Sequence, residues 1–199
     1  MLNISAKTKI IGVFGYPIEH SLSPLMHNAA FSYLGLDYCY LAFSVRPEDL
    51  KQAVESIRAL NLVGVNVTIP HKERVLPYLD KVSRQARLIG AVNTIHNKGG
   101  KLIGYNTDLS GFLTSLKQAG FNPKGKKVVV IGAGGAARAV SFALSQERIH
   151  SLFILNRTLE KAKSLTKMIK KSIINGVRPA ESDPIIEALP LRKKELIKV

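Results

Sequence analysis

The sequence predicts an α/β protein built of two successive units. Three observations carry this. Strand-like apolar runs alternate with helix-like segments along the whole chain, the pattern of a mainly parallel sheet whose strands are joined by helices. A glycine-rich turn at 132–137 directly follows a buried run and opens a helix. A polar stretch bearing Pro and Gly, FNPKGK (121–126), separates the two series.

The elements follow in order. KIIGVFG (9–15) reads as a buried strand. SPLMHNAAFSYLG (23–35) reads as a helix, with Ser23 as N-cap, Pro24 at the first helical position and Gly35 as the stop. YCYLAFSV (38–45) is a strand. PEDLKQAVESIRAL (47–60) is a helix, with Pro first and acids in its first turn. LVGVNVTIP (62–70) is a strand, and short helices are expected near 72–79 and 81–88. GAVNTIHN (90–97) and KLIGYNT (101–107) pair across Lys98-Gly99-Gly100. DLSGFLTSLKQAG (108–120) is a helix ending on Gly120. After the joint come the strand KKVVVIG (126–132), a helix and the strand SLFILNRT (151–158).

Composition narrows the class. The 199 residues are 46% hydrophobic, enough for a proper core, and no low-complexity tract interrupts them. One cysteine, Cys39, excludes an intramolecular disulfide and fits a reducing cytoplasm. No apolar run approaches a membrane span, and MLNISAKTKI lacks the apolar core of a signal peptide. The net charge of +15 is scattered, much of it on helix-surface lysines, without the aromatic-studded basic stretch that base stacking needs. Nucleic acid is therefore not expected as a partner, whereas small carboxylates and phosphates are.

The turn Gly132-Ala133-Gly134-Gly135-Ala136-Ala137 matches G-x-G-x-x-A in the strand-to-helix context that gives the motif meaning. Gly132 permits the tight turn, Gly134 lets backbone approach a pyrophosphate, and Ala137 lets helix and strand pack closely. This makes the second unit a Rossmann-like dinucleotide-binding domain. Its next strand ends in Asn156, Arg157 and Thr158, with Lys161 just beyond, and no acid stands there. An acid would repel a 2′-phosphate and an Arg would bind it, so NADP is the expected cofactor. No metal is expected.

The first unit places polar clusters at strand ends. Ser21 and Ser23 flank the start of a helix, suiting a carboxylate. In GVNVTIPHK (64–72), Asn66 and Thr68 share one strand face, and Lys72 follows beyond Pro70. GAVNTI places Asn93 at a strand centre, and GYNTD supplies Asn106, Thr107 and Asp108. Each alone has a plain structural reading, as cap, turn or solvated face. Their convergence at the carboxyl ends of strands is what points to a ligand.

SLSPLMHNAAF, GVNVTIPHK, GAVNTI, GYNTDLSGF, GAGGAARA and NRT, in this order, resemble the shikimate dehydrogenase family over residues 9–163. The resemblance implies NADPH-dependent reduction of 3-dehydroshikimate to shikimate, on the route to aromatic amino acids. It implies that Ser21 and Ser23 hold the substrate carboxylate, and that Asn66, Thr68, Asn93 and Asp108 bind ring hydroxyls. Lys72, also in contact with substrate, and Asp108 would be the catalytic pair. Gly132, Ala133, Gly134, Gly135, Ala136 and Ala137 would hold the pyrophosphate. Asn156, Arg157, Thr158 and Lys161 would surround the 2′-phosphate.

The expected domains are 1–110 for substrate and catalysis, 111–125 as connecting helix and joint, and 126–199 as a partial NADP-binding domain. The chain departs from the family after NRT. It ends without the further strands, the Tyr and the Gln that the family carries, so a shortened dinucleotide domain of about two strands is expected. Such a domain would have an open sheet edge, be marginally stable, or be completed by another chain, a homodimer included. A quinate-specific relative and a non-catalytic remnant are the alternatives.

Overall fold

The computed structural model describes residues 4–174 and 184–192. The chain forms two compact units, Met1–Asn106 and Thr107–Val199.

The first unit is built on a six-stranded sheet. Its strands are β1 (Lys9–Gly15), β2 (Tyr38–Ser44), β3 (Gly64–Val67), β4 (Lys81–Val82), β5 (Thr94–Lys98) and β6 (Lys101–Tyr105), in the order β2-β1-β3-β5-β6-β4. β1 runs parallel to both β2 and β3, while β5 runs antiparallel to both β3 and β6. The β5–β6 turn is Gly99-Gly100, both at positive φ, where a side chain would be strained. Helices α1 (Ser23–Tyr33), α2 (Leu50–Ala59) and α3 (Arg84–Ile89) complete the unit. α2 buries Leu50, Val54 and Ile57 at helical spacing. They pack with Phe14, Val65, Val67 and Ile95 of the sheet to form the main core.

The second unit contains α4 (Asp108–Gln118), β7 (Lys127–Ile131), α5 (Gly135–Ser145), β8 (Ser151–Asn156), α6 (Leu159–Ser172) and β9 (Ile185–Pro190). Its sheet has the order β7-β8-β9, all parallel. Val130, Leu152, Ile154 and Ile186 face Leu144, Leu165 and Ile169 of the helices, and Phe112 and Leu116 of α4 join this core. Among the described residues β7 pairs only with β8, and Val129 and Ile131 remain exposed on that strand.

Several expectations are corrected. Ser23 is not the cap of α1; Leu22 holds that position and no side chain caps the helix. The strand expected at 62–70 is confined to Gly64–Val67; Thr68 N–H still donates to the Phe14 carbonyl of β1, and Pro70 has no N–H with which to carry the ladder on. Residues 72–79 form turns and a single 3₁₀ turn, Leu76–Tyr78, and not an α-helix, since Pro77 leaves no room for a longer one. The helix near 81–88 is displaced to Arg84–Ile89, with β4 before it and Ser83 as its cap. Asn93 precedes β5 and is not at a strand centre. The second sheet has three described strands where about two were expected, because IIEALP forms β9.

Candidate functional site

In the first unit, Ser21 and Ser23 stand after the C-terminal end of β1. Ser21 N–H donates to the Ile18 carbonyl, and Ser23 N–H donates to Ser21 Oγ at 3.3 Å. That contact consumes one of the helix N–H groups expected to meet a carboxylate, and Pro24 removes another. The Ser21 hydroxyl hydrogen has no acceptor among the described residues, so Ser21 is the better placed anion donor.

Asn66 occupies the last turn of the ladder of β3. Its Oδ1 accepts a 2.7 Å hydrogen bond from the Tyr40 hydroxyl. Its Nδ2 donates to the Asn93 carbonyl at 3.3 Å and to Thr94 Oγ1 at 3.2 Å. Thr94 Oγ1 in turn donates to Asn93 Oδ1 at 2.9 Å. The topology explains the meeting. β5 is antiparallel to β3 with Asn66 opposite Thr94, so the start of β5 returns to the carboxyl end of β3. Asn93 is therefore brought beside Asn66 by a pairing that alternation along one strand does not reveal.

Thr68 and Lys72 belong to the segment leaving β3. Thr68 N–H donates to the Phe14 carbonyl at 2.9 Å, and His71 N–H closes a turn onto the Thr68 carbonyl at 2.8 Å. The Lys72 carbonyl accepts from Val92 N–H at 2.8 Å, tying this segment to the approach to Asn93. Gly15 makes room for it: a Cβ there would stand 2.5 Å from Thr68 Cγ2. Lys72 itself is half-buried.

Tyr40 and Thr94 join this polar cluster, and sequence reasoning missed both. Tyr40 lies in an apolar strand, 1% exposed, where nothing local marks it as more than core. Burial pushes its phenol up to about 12, while the nearby Ser23 hydroxyl opposes that rise. Thr94 stood inside the motif GAVNTI, but only its neighbour's side chain drew attention.

In the second unit, Asp108 is the first residue of α4, where a carboxylate is favoured by the helix dipole. The glycine turn has the expected form. Gly132 sits at φ +119°, which disfavours any side chain, and its N–H donates to the Leu155 carbonyl at 2.7 Å. Gly134 caps α5, and a Cβ there would meet no atom within 4 Å. The backbone thus borders open space at an eleven-residue helix's N-terminus, a fit for a phosphate group. Ala133 is buried in the core and Ala137 packs against it, while Gly135 and Ala136 open the helix. At the end of β8, Asn156 Nδ2 donates to the Thr158 carbonyl at 2.8 Å. Arg157, Thr158 and Lys161 are exposed, and Arg157 and Lys161 form no ion pair among the described residues. An anion could therefore claim both cations.

No helix among the described residues is long and apolar enough to cross a membrane.

Two family models match the chain: the shikimate dehydrogenase substrate binding domain over residues 13–95, and shikimate / quinate 5-dehydrogenase over residues 115–188. A shikimate dehydrogenase (NADP(+)) from Desulforamulus reducens is 49% identical over 94% of this chain and 69% of its own length. A crystal structure of shikimate dehydrogenase in complex with NADP+ is 48% identical, with a TM-score of 0.83 over 92% of this chain and 62% of that one. The enzyme from Listeria monocytogenes, in complex with shikimate and NAD, is 39% identical, with a TM-score of 0.82 over 98% of this chain and 65% of that one. The chain thus spans about three fifths to two thirds of these relatives. With both of its units matched in order, and half its residues identical to a relative it largely covers, the chain belongs to the shikimate dehydrogenase family.

Proposed function

We propose that this chain binds shikimate and NADP and serves the reversible reduction of 3-dehydroshikimate to shikimate. The observation that carries the reading is the polar wall of the first unit. Ser21, Ser23, Asn66, Thr94 and Asn93 are gathered at one end of the sheet, and none of them is a carboxylate. Such a wall suits a ligand with one acid group and several hydroxyls. Serine hydroxyls donate to the acid, and carboxamides and Thr68 meet the ring hydroxyls.

The second unit fits NADP on its own residues. The open space beside Gly134 and the head of α5 would take the pyrophosphate. Arg157, with Lys161, would take the 2′-phosphate, because its planar fork matches phosphate geometry. Asn156 and Thr158 shape that strand end. When bound, the nicotinamide supplies or takes the hydride.

The protein's own part is the proton. Lys72 carries the charge that stabilises the developing alkoxide and can protonate it, and Asp108 supplies a carboxylate able to accept from a ligand hydroxyl. A cytoplasmic setting belongs to the same reading, supported by a lone cysteine, Cys39, that is buried and unpaired.

The test is NADP⁺ reduction by the purified chain with shikimate, beside NAD⁺ and quinate. Turnover requiring both shikimate and NADP⁺ supports the proposal. Preference for quinate would favour the second activity in the matched family's description. Calorimetry with shikimate and with NADP⁺ separates binding from turnover, and absence of both would overturn the reading.

A further inference from the structure

We propose that Tyr40 is a positioning residue whose buried hydroxyl holds the Asn66 carboxamide so that it can meet a ligand only as a hydrogen-bond acceptor. The proposal rests on reading this wall as the polyol-acid site.

The argument begins with an asymmetry. The backbone carbonyl of Asn93 can only accept, and it lies 3.3 Å from one end of the Asn66 amide, so that end must be Nδ2. Thr94 Oγ1, already donating to Asn93 Oδ1, accepts from the same nitrogen. Both Asn66 N–H groups are thereby committed. The other end is Oδ1, and the Tyr40 hydroxyl donates to it at 2.7 Å. A directed series of donors results: Tyr40 to Asn66, Asn66 to Thr94, Thr94 to Asn93. Bonds in such a series polarise one another. What remains to Asn66 is one lone pair on Oδ1. A ligand hydroxyl is recognised there as a donor, and an ether or keto oxygen is rejected.

Tyr40 is itself held from every side. His27 stacks on its ring at 4.3 Å between centroids and 15° between planes. The Asn28 side chain grips its backbone twice, accepting from Tyr40 N–H at 2.8 Å and donating to its carbonyl at 2.9 Å. A Phe at this position keeps the ring packing and loses only the donor. Without it, Asn66 Oδ1 is half-satisfied and the carboxamide is free to turn.

The experiment is Tyr40→Phe in the full chain, with two readouts. The first needs no ligand: the side-chain amide ¹H–¹⁵N signals of Asn66. They are expected to shift and broaden in the variant; unchanged signals overturn the proposal. The second is shikimate affinity. A loss of roughly tenfold is expected, with NADP⁺ affinity unchanged. The loss should vanish when Tyr40→Phe is added to Asn66→Ala, because the effect runs through Asn66. Equal affinity in wild type and variant, or full additivity, overturns it. If the unaltered chain binds no shikimate, the functional reading falls, and the amide signals still decide whether Tyr40 holds Asn66. Should the variant not fold, the unaltered chain must show a slowly exchanging Tyr40 hydroxyl proton close in space to the Asn66 amide; its absence also refutes the proposal.

Discussion

His71 Nε2 lies 2.7 Å from the carbonyl oxygen of Val45. A carbonyl can only accept, so Nε2 carries the hydrogen and the ring is the Nε2–H tautomer. Nδ1 is buried and has no hydrogen-bond partner among the described residues. Burial, reinforced by the nearby Arg74, lowers the imidazole below its ordinary value, and the Val45 bond only partly opposes this. The folded chain therefore resists a proton that the unfolded chain accepts. Stability is full above about pH 6.5, the unfolded value, and falls as pH drops below it toward the lowered folded value. Melting temperature followed from pH 7.5 to 5 should show this loss. His71→Leu should flatten the slope while lowering the plateau by about 1–3 kcal/mol, because Val45 loses its donor.

The glycines of the phosphate turn should separate stability from binding. Gly132→Ala forces a side chain onto φ +119° and should destabilise the second unit by about 1–3 kcal/mol. Gly134→Ala meets no protein atom within 4 Å, so its melting temperature should be unchanged. Its added methyl would nevertheless occupy the space assigned to pyrophosphate. NADP⁺ affinity by calorimetry should fall at least about tenfold. Equal affinity would remove the phosphate from that turn.

Arg157→Ala should weaken NADP⁺ by about tenfold or more while leaving NAD⁺ unaffected, since only the former carries the 2′-phosphate. Fluorescence titration of both reduced cofactors reads the ratio directly. A parallel loss for both would show that Arg157 supports the strand end and does not select the cofactor.

Lys72→Met and Asp108→Asn should each lower kcat by about 10²–10⁴-fold, the usual range for loss of a proton-transfer group. Melting temperature should move little, as both side chains are only half-buried. Near-normal turnover in either variant would strip that residue of its role.

Much of the architecture was legible because its signals are local. The alternation of strands and helices, the β5–β6 turn at Gly99-Gly100 and the glycine turn after β7 all depend on residues adjacent in sequence. The same holds for Arg157 at the end of β8. Failures arose where neighbours in space decided the outcome. Ser83 was not seen as a cap, and Ser23 was, because capping depends on backbone angles that side-chain type only suggests. IIEALP was passed over as a strand, since six residues become one only when β8 offers a ladder.

The sequence by itself determined the chemistry available: serines, carboxamides, Lys72 and a glycine-rich turn, in an order that marks the family. Only the tertiary structure decided how the polar groups of the first unit are joined. Tyr40 and Asn66 are distant in sequence and lie on strands separated by β1, so no periodicity links them. Hydrogen bonding is a matter of position within about 3 Å. Sheet order and the antiparallel turn-back of β5 supplied that position, and they brought a buried tyrosine hydroxyl to Asn66.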